Sequence, residues 1–256
     1  MSNDPASSLL DKAPAVDWCA PPPELELPAR TVHVWHIDLD LQTARLGRLE
    51  QNLSADELLR AARFRFARDR ERFVAARGLL REILALYLNV AARQLRFGYG
   101  PNGKPFLAEH GGLRFNVSHS LNVALVAVAH QREVGVDIEH ARYDIPVEEI
   151  AETVFSAPEK RTLSRLDGEA KRMTFLRFWT RKEAYIKADG RGMSLLLEHI
   201  DVSVPTNRVA VLDEDMGEWL VRANWRLQTL AIGADHAAAL AAEGEDWRLA
   251  CWRWPG

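Results

Sequence analysis

The sequence predicts an α+β protein built from two similar α+β halves in a pseudo-twofold arrangement. Three observations lead there. The order strand, helices, strands occurs twice, before and after about His130. A hydrophobic share of 47% over 256 residues is enough for one large core or two smaller ones. No apolar run approaches the ~20 residues that a membrane span needs, so the elements must close the core among themselves. No residue-level repeat accompanies the pattern. Ligands favour the seam between two packed units, which makes the cleft between the halves the expected site. The expected boundaries are a mobile tail over residues 1–30, a first half over 31–130 and a second over 131–256.

The tail is rich in Pro, Ala and Ser and includes Pro21-Pro22-Pro23. Order is expected to begin near Thr31, where Thr31 to Asp38 alternates as a strand does. Ser54-Ala55-Asp56-Glu57 is a capping box and opens a helix through about Phe66. Asp69 begins a second helix to about Asn89, with Phe73, Leu80, Leu84 and Leu88 inward. Strands follow at Leu95–Gly98, Leu113–Val117, Val123–Ala129 and Val134–Ile138. Helices return near Pro146–Thr153, after the cap at Ser156, and from about Glu169 to Ala188. Strands close the chain at Ile200–Val204, Val209–Leu212, Trp225–Leu230, Ala237–Ala242 and Leu249–Trp252.

A net charge of -3 gives the chain no general affinity for polyanions. Cys19 and Cys251 lie near opposite ends without metal-ligand spacing, which suits free thiols in a reducing compartment. With no signal-like N-terminus either, a cytoplasmic location is expected. Residues 60–81 hold eight arginines against two acids, a local charge of +6. Aromatic interleaving there is thin. A small polyphosphate or an acidic protein therefore fits this stretch better than a long nucleic acid.

The helix over Trp179 to Lys187 breaks its own pattern. Phe175, Phe178, Trp179, Tyr185 and Ile186 form an apolar arc, yet Lys182 projects from its middle and Glu183 lies between Trp179 and Leu176. Charges on a greasy face need partners, so this face should meet a site. Upstream, Asp137 and Glu139 stand two apart on a short strand and point the same way. With Glu183 they form three carboxylates able to take a hard cation such as Mg²⁺. Taken alone, the strand better suits a charged, solvated edge, and Glu183 with Lys187 a surface ion pair; the apolar flanks of the helix argue against the latter. Ser118 and His119 are strand neighbours facing opposite ways, which argues against a nucleophile–base pair. The polar strand end Asn116, Ser118, His119 suits donors to an anion, or simply a turn. Asn102-Gly103-Lys104-Pro105 is a turn whose Lys offers a point charge to phosphate. It is too short for a P-loop.

In order along the chain stand Gly103-Lys104-Pro105, Phe115-Asn116-Val117-Ser118-His119-Ser120, Gly135-Val136-Asp137-Ile138-Glu139 and Phe178-Trp179-Thr180-Arg181-Lys182-Glu183-Ala184-Tyr185-Ile186-Lys187. This combination resembles the 4′-phosphopantetheinyl transferases of the surfactin-synthetase type (group II), over roughly residues 45–205. The resemblance implies a monomer that binds coenzyme A between its halves. It implies transfer of the phosphopantetheine arm to a serine of an acyl or peptidyl carrier protein, with release of adenosine 3′,5′-bisphosphate. It makes Asp137, Glu139 and Glu183 the Mg²⁺ ligands, His119 and Lys187 contacts of the pyrophosphate, and Lys104, Asn116 and Ser118 members of the coenzyme-binding segments. It places Arg60 on the 3′-phosphate side. Glu183, Lys187 and His119 become the catalytic group, with Glu183 a candidate base as well as ligand. Lys182 is expected to support Glu183 or orient phosphate. Two other classes remain in view: a metal-dependent phosphodiester hydrolase or nuclease, and an inactive carrier-binding module. Neither nucleic acid nor membrane is an expected partner.

Overall fold

Four layers stack in the order helices, sheet, sheet, helices. The computed structural model describes residues 16–141, 145–190, 196–204, 207–213 and 218–255. Its strands are β1 (Thr31–Asp38), β2 (Phe97–Tyr99), β3 (Pro105–Leu107), β4 (Leu113–Ser120), β5 (Val123–His130), β6 (Val134–His140), β7 (Ile200–Asp201), β8 (Arg208–Asp213), β9 (Glu218–Thr229), β10 (His236–Glu243) and β11 (Arg248–Arg253). Its α-helices are α1 (Thr43–Glu50), α2 (Ala55–Ala61), α3 (Ala67–Leu88), α4 (Val147–Val154), α5 (Ala157–Leu163) and α6 (Gly168–Asp189). The fold is α+β.

One sheet runs β11-β1-β5-β4 and the other β6-β10-β9-β8-β7, with β2-β3 a separate ribbon. Strand alternation assigns the faces. Trp35 and Ile37 of β1 and Val126 and Val128 of β5 join Leu79, Leu80, Ile83 and Leu84 of α3 in the first core. Val32, Val34, Leu125 and Ala127 point the other way, onto Val134, Val136 and Ile138 of β6 and Leu240 of β10. Beyond the second sheet, Ala237, Ala239 and Ala241 meet Phe175, Phe178, Tyr185 and Ile186 of α6. Burying these apolar faces is the main driving force for the stack.

The chain's end returns to its beginning. β11 pairs in parallel with β1, so residues 131–256 supply strands to both sheets. The segment before Thr31 also contributes. Val16 and Trp18 pack on the core between the sheets, and the Cys19 amide donates to the Cys251 carbonyl. Residues 1–15 of the expected tail lie outside the described residues. Cys19 and Cys251 are free thiols.

Three differences from the sequence expectation matter for the site. β4 reaches Ser120 and β6 reaches His140, so the polar strand ends are paired strand, not turn. The capped helix stops at Ala61 and the next begins at Ala67. β9 starts at Glu218, because ladder bonds to β8 extend it well before Trp225.

One glycine sets the approach of helix to strand. A Cβ on Gly135 would lie 2.1 Å from the Ala184 carbonyl oxygen and 2.4 Å from the Ala188 nitrogen. The backbone of α6 therefore rests directly on β6, a distance only glycine allows. That contact brings Glu183 and Lys187 down beside Asp137 and Glu139.

Candidate active site

The site forms where the free edges of the two sheets adjoin. β4 ends one sheet and β6 the other. Asn116, Ser118 and Ser120 lie on one face of β4, since alternate residues share a face. All three are buried. The Asn116 carboxamide oxygen accepts from the Val136 amide at 2.9 Å. Ser118 Oγ donates to Asp137 Oδ1 at 2.8 Å. Ser120 Oγ donates to Glu139 Oε2 at 3.2 Å. Side chains of the first sheet thus hold the acidic strand of the second.

From above, α6 adds its charges. Lys187 Nζ donates to Asp137 Oδ1 at 2.6 Å and to Ser118 Oγ at 3.1 Å. Burial raises the pKa of Asp137, against the pull of Lys187 and Ser118. Its second oxygen, Oδ2, is buried without a hydrogen-bond partner. Glu183 is half-buried, and burial raises its pKa too. The positive charge of Lys187 opposes that rise, while the negative charges of Asp137 and Glu139 add to it. Electrostatically, then, the three acids share one neighbourhood. Among the described residues, however, no three His, Cys, Asp or Glu side chains stand close enough together to hold a metal ion as they lie.

His119, on the other face of β4, is exposed at its surface. Partial burial lowers its pKa, and the nearby charges of Lys187 and Arg60 lower it further. It is therefore a neutral imidazole near pH 7. Arg60 stands over the Phe73 ring at 5.4 Å and lines an open pocket of about 650 Å³ with Asp56, Leu59, Arg63 and Phe64. A second cavity, of about 250 Å³, is lined by Lys104, Asn116, Glu183 and Lys187 among others. Two of the residues named from the sequence, Lys104 and Asn116, therefore line the same cavity as Glu183 and Lys187.

Several of these groups are already engaged. Lys104 Nζ binds Glu133 Oε2 at 2.7 Å and the Ala188 carbonyl at 2.9 Å, which ties the β2–β3 turn to the end of α6. Ser118 and the Asn116 oxygen brace β6. The expectation for Lys182 is corrected. Its side chain is 1% exposed and turns away from Glu183, into the helical layer. There it pairs with Glu159 Oε2 at 2.9 Å and donates to the Leu197 and Ile200 carbonyls. Lys182 lies about 100° round the helix from Glu183, and its ammonium is taken up by Glu159. Glu159 accepts also from the Ser156 and Val202 amides, each at 2.9 Å. The partner of this lysine was not legible, because Glu159 reads as the fourth residue of an ordinary capping box.

Sequence reasoning also passed over Ser120 and the close contact at Gly135. One signal for Ser120 was present. The spacing Ser118-x-Ser120 matches Asp137-x-Glu139, as two strands side by side require.

The junction of the two sheets thus gathers Ser118, Asp137 and Lys187, with Glu183 and Glu139 in electrostatic reach. The 4′-phosphopantetheinyl transferase superfamily model matches residues 133–249, and the model of a 4′-phosphopantetheinyl transferase N-terminal region matches residues 42–131. The 4′-phosphopantetheinyl transferase HetI of Nostoc sp. is 39% identical over 240 residues, covering 93% of this chain and 98% of its own. The 4′-phosphopantetheinyl transferase Sfp of Bacillus subtilis is 28% identical over 168 residues, 65% of this chain and 73% of its own. The L-aminoadipate-semialdehyde dehydrogenase-phosphopantetheinyl transferase of Xenopus laevis is 29% identical over 203 residues, 73% and 67%. This chain belongs to the 4′-phosphopantetheinyl transferase family. No helix among the described residues is long and apolar enough to cross a membrane.

Proposed function

We propose that this chain, acting as a cytoplasmic monomer, moves the 4′-phosphopantetheine of coenzyme A onto a serine of an acyl or peptidyl carrier protein, with Mg²⁺ as cofactor. The observation that carries the reading is the junction of Ser118, Asp137 and Lys187, with Glu183 and Glu139 within electrostatic reach. The family match gives the reaction class, and the junction supports this reading of where the reaction is carried out.

A buried carboxylate oxygen without a donor fits a cation, because such an atom is costly unless something positive meets it. Asp137, Glu139 and Glu183 would hold Mg²⁺ there. When bound, the ion would neutralise charge on the diphosphate and on the group that leaves.

The chain's own residues do the rest. The serine Oγ forms a bond to the phosphorus on the pantetheine side. The bond from that phosphorus to the bridging oxygen breaks, and adenosine 3′,5′-bisphosphate leaves. The serine proton passes to Glu183, directly or through a water. Lys187 offsets negative charge on the transferring group. His119 donates one hydrogen bond to the pyrophosphate. Arg60 and the pocket beside it take the 3′-phosphate end.

The reading is tested by incubating the protein with coenzyme A, Mg²⁺ and an apo-carrier, then weighing the carrier intact. The carrier is expected to gain one phosphopantetheine, and its serine-to-alanine variant none. Release of adenosine 3′,5′-bisphosphate at the same rate without any carrier would favour a hydrolase instead.

A further inference from the structure

We propose that Ser120 is a positioning residue that aims the Glu139 carboxylate at the cation, a role that rests on reading Glu139 as a ligand. The argument is one of hydrogen-bond arithmetic. A serine hydroxyl has one hydrogen to give and lone pairs to accept. The His140 amide, which can only donate, reaches Ser120 Oγ at 3.1 Å. The single hydroxyl hydrogen is then left for Glu139 Oε2, 3.2 Å away. Ser120 is 5% exposed, so water does not easily replace either bond.

The setting gives that bond its importance. β4 and β6 belong to different sheets, and no ladder of backbone bonds joins them. Their register is set by side chains instead. Ser118 meets Asp137 and Ser120 meets Glu139, each pair 19 residues apart in sequence, and Asn116 meets the Val136 amide one step below. The two carboxylates are thus placed by equivalent rungs from the same face of β4. The Asp137 rung is reinforced by Lys187. At Glu139 the hydroxyl of Ser120 fixes which way one oxygen points. A carboxylate held in this way meets a cation with little reorganisation, and loss of such an outer partner typically costs 10–100-fold in metal affinity.

The test is direct titration of Mn²⁺, followed by the electron paramagnetic resonance of the free ion, on the whole protein with saturating coenzyme A and no carrier. The variants are Ser120→Ala, the equal-volume pair Ser120→Thr and Ser120→Val, and Glu139→Gln. Ser120→Ala is expected to weaken Mn²⁺ binding roughly 10-fold. Ser120→Thr should bind at least several-fold more tightly than Ser120→Val. That ratio isolates the hydroxyl even if an added methyl loosens the fold, and far-UV circular dichroism confirms that each variant is folded. Equal affinity for Ser120→Thr and Ser120→Val, or wild-type affinity for Ser120→Ala, would overturn the role of Ser120. If Glu139→Gln alone weakens binding, the ligand reading survives that loss. If Glu139→Gln also binds as wild type, or wild type binds no Mn²⁺, Glu139 is not a ligand and both readings fall.

Discussion

Glu183→Ala is expected to abolish transfer, a fall of at least about 10²–10⁴-fold, while the protein keeps its fold. Both halves of that statement come from the surroundings of the side chain. Glu183 is half-buried, and burial and the charges of Asp137 and Glu139 disfavour its ionised form, offset only in part by Lys187. Such a group is kept at a cost in stability, which is common at catalytic positions. Removing it takes away the base while relieving the repulsion. Rates come from the intact mass of the carrier over time, and stability from the urea midpoint. Turnover within a few-fold of wild type would remove Glu183 from the mechanism. Loss of turnover together with unfolding would make it a structural residue.

Its neighbour should behave in the opposite sense. Lys182→Met is expected to destabilise the protein by about 3–5 kcal/mol, because it leaves the Glu159 carboxylate buried without its ammonium partner. Burial pushes Glu159 up and Lys182 down in pKa, so each depends on the other to stay charged. The Lys182 ammonium also stands 5.5 Å from the centre of the Phe155 ring. Adding Glu159→Gln to Lys182→Met should recover much of the loss, since the isolated charge is then gone. The two single variants and the double variant, compared by urea denaturation, measure the coupling. A Lys182→Met protein as stable as wild type would contradict the pairing. So would a double variant no more stable than the single one.

This pair of outcomes also marks what the sequence could and could not tell. Charges on the apolar arc of α6 correctly flagged a helix with unusual obligations. Periodicity could not say that adjacent residues meet different demands, Glu183 the cleft and Lys182 a buried glutamate on α5. Such long-range pairing leaves no trace in a local pattern. The α+β class was legible because strands and helices alternate cleanly in hydrophobic period. The strand ends at Ser120 and His140 were not. Polar residues there look like turns until the neighbouring strand that buries them is known. Gly135 was visible as part of an acidic motif, but only the fold reveals the backbone of α6 resting on it. The acids themselves were placed from motif order. The structure adds that Ser118, Ser120 and Lys187 hold the strand acids in position.

The central claim is that Asp137, Glu139 and Glu183 act together on a divalent ion at the diphosphate of coenzyme A. It is tested most directly by following carrier mass with metal-stripped protein as Mg²⁺ is added back. The account predicts no transfer in the presence of chelator and full recovery with Mg²⁺. It also predicts that Asp137→Asn and Glu139→Gln need far more Mg²⁺ to reach half of their own maximal rate. Transfer at the wild-type rate in chelator, or an unchanged Mg²⁺ requirement in both variants, would contradict it.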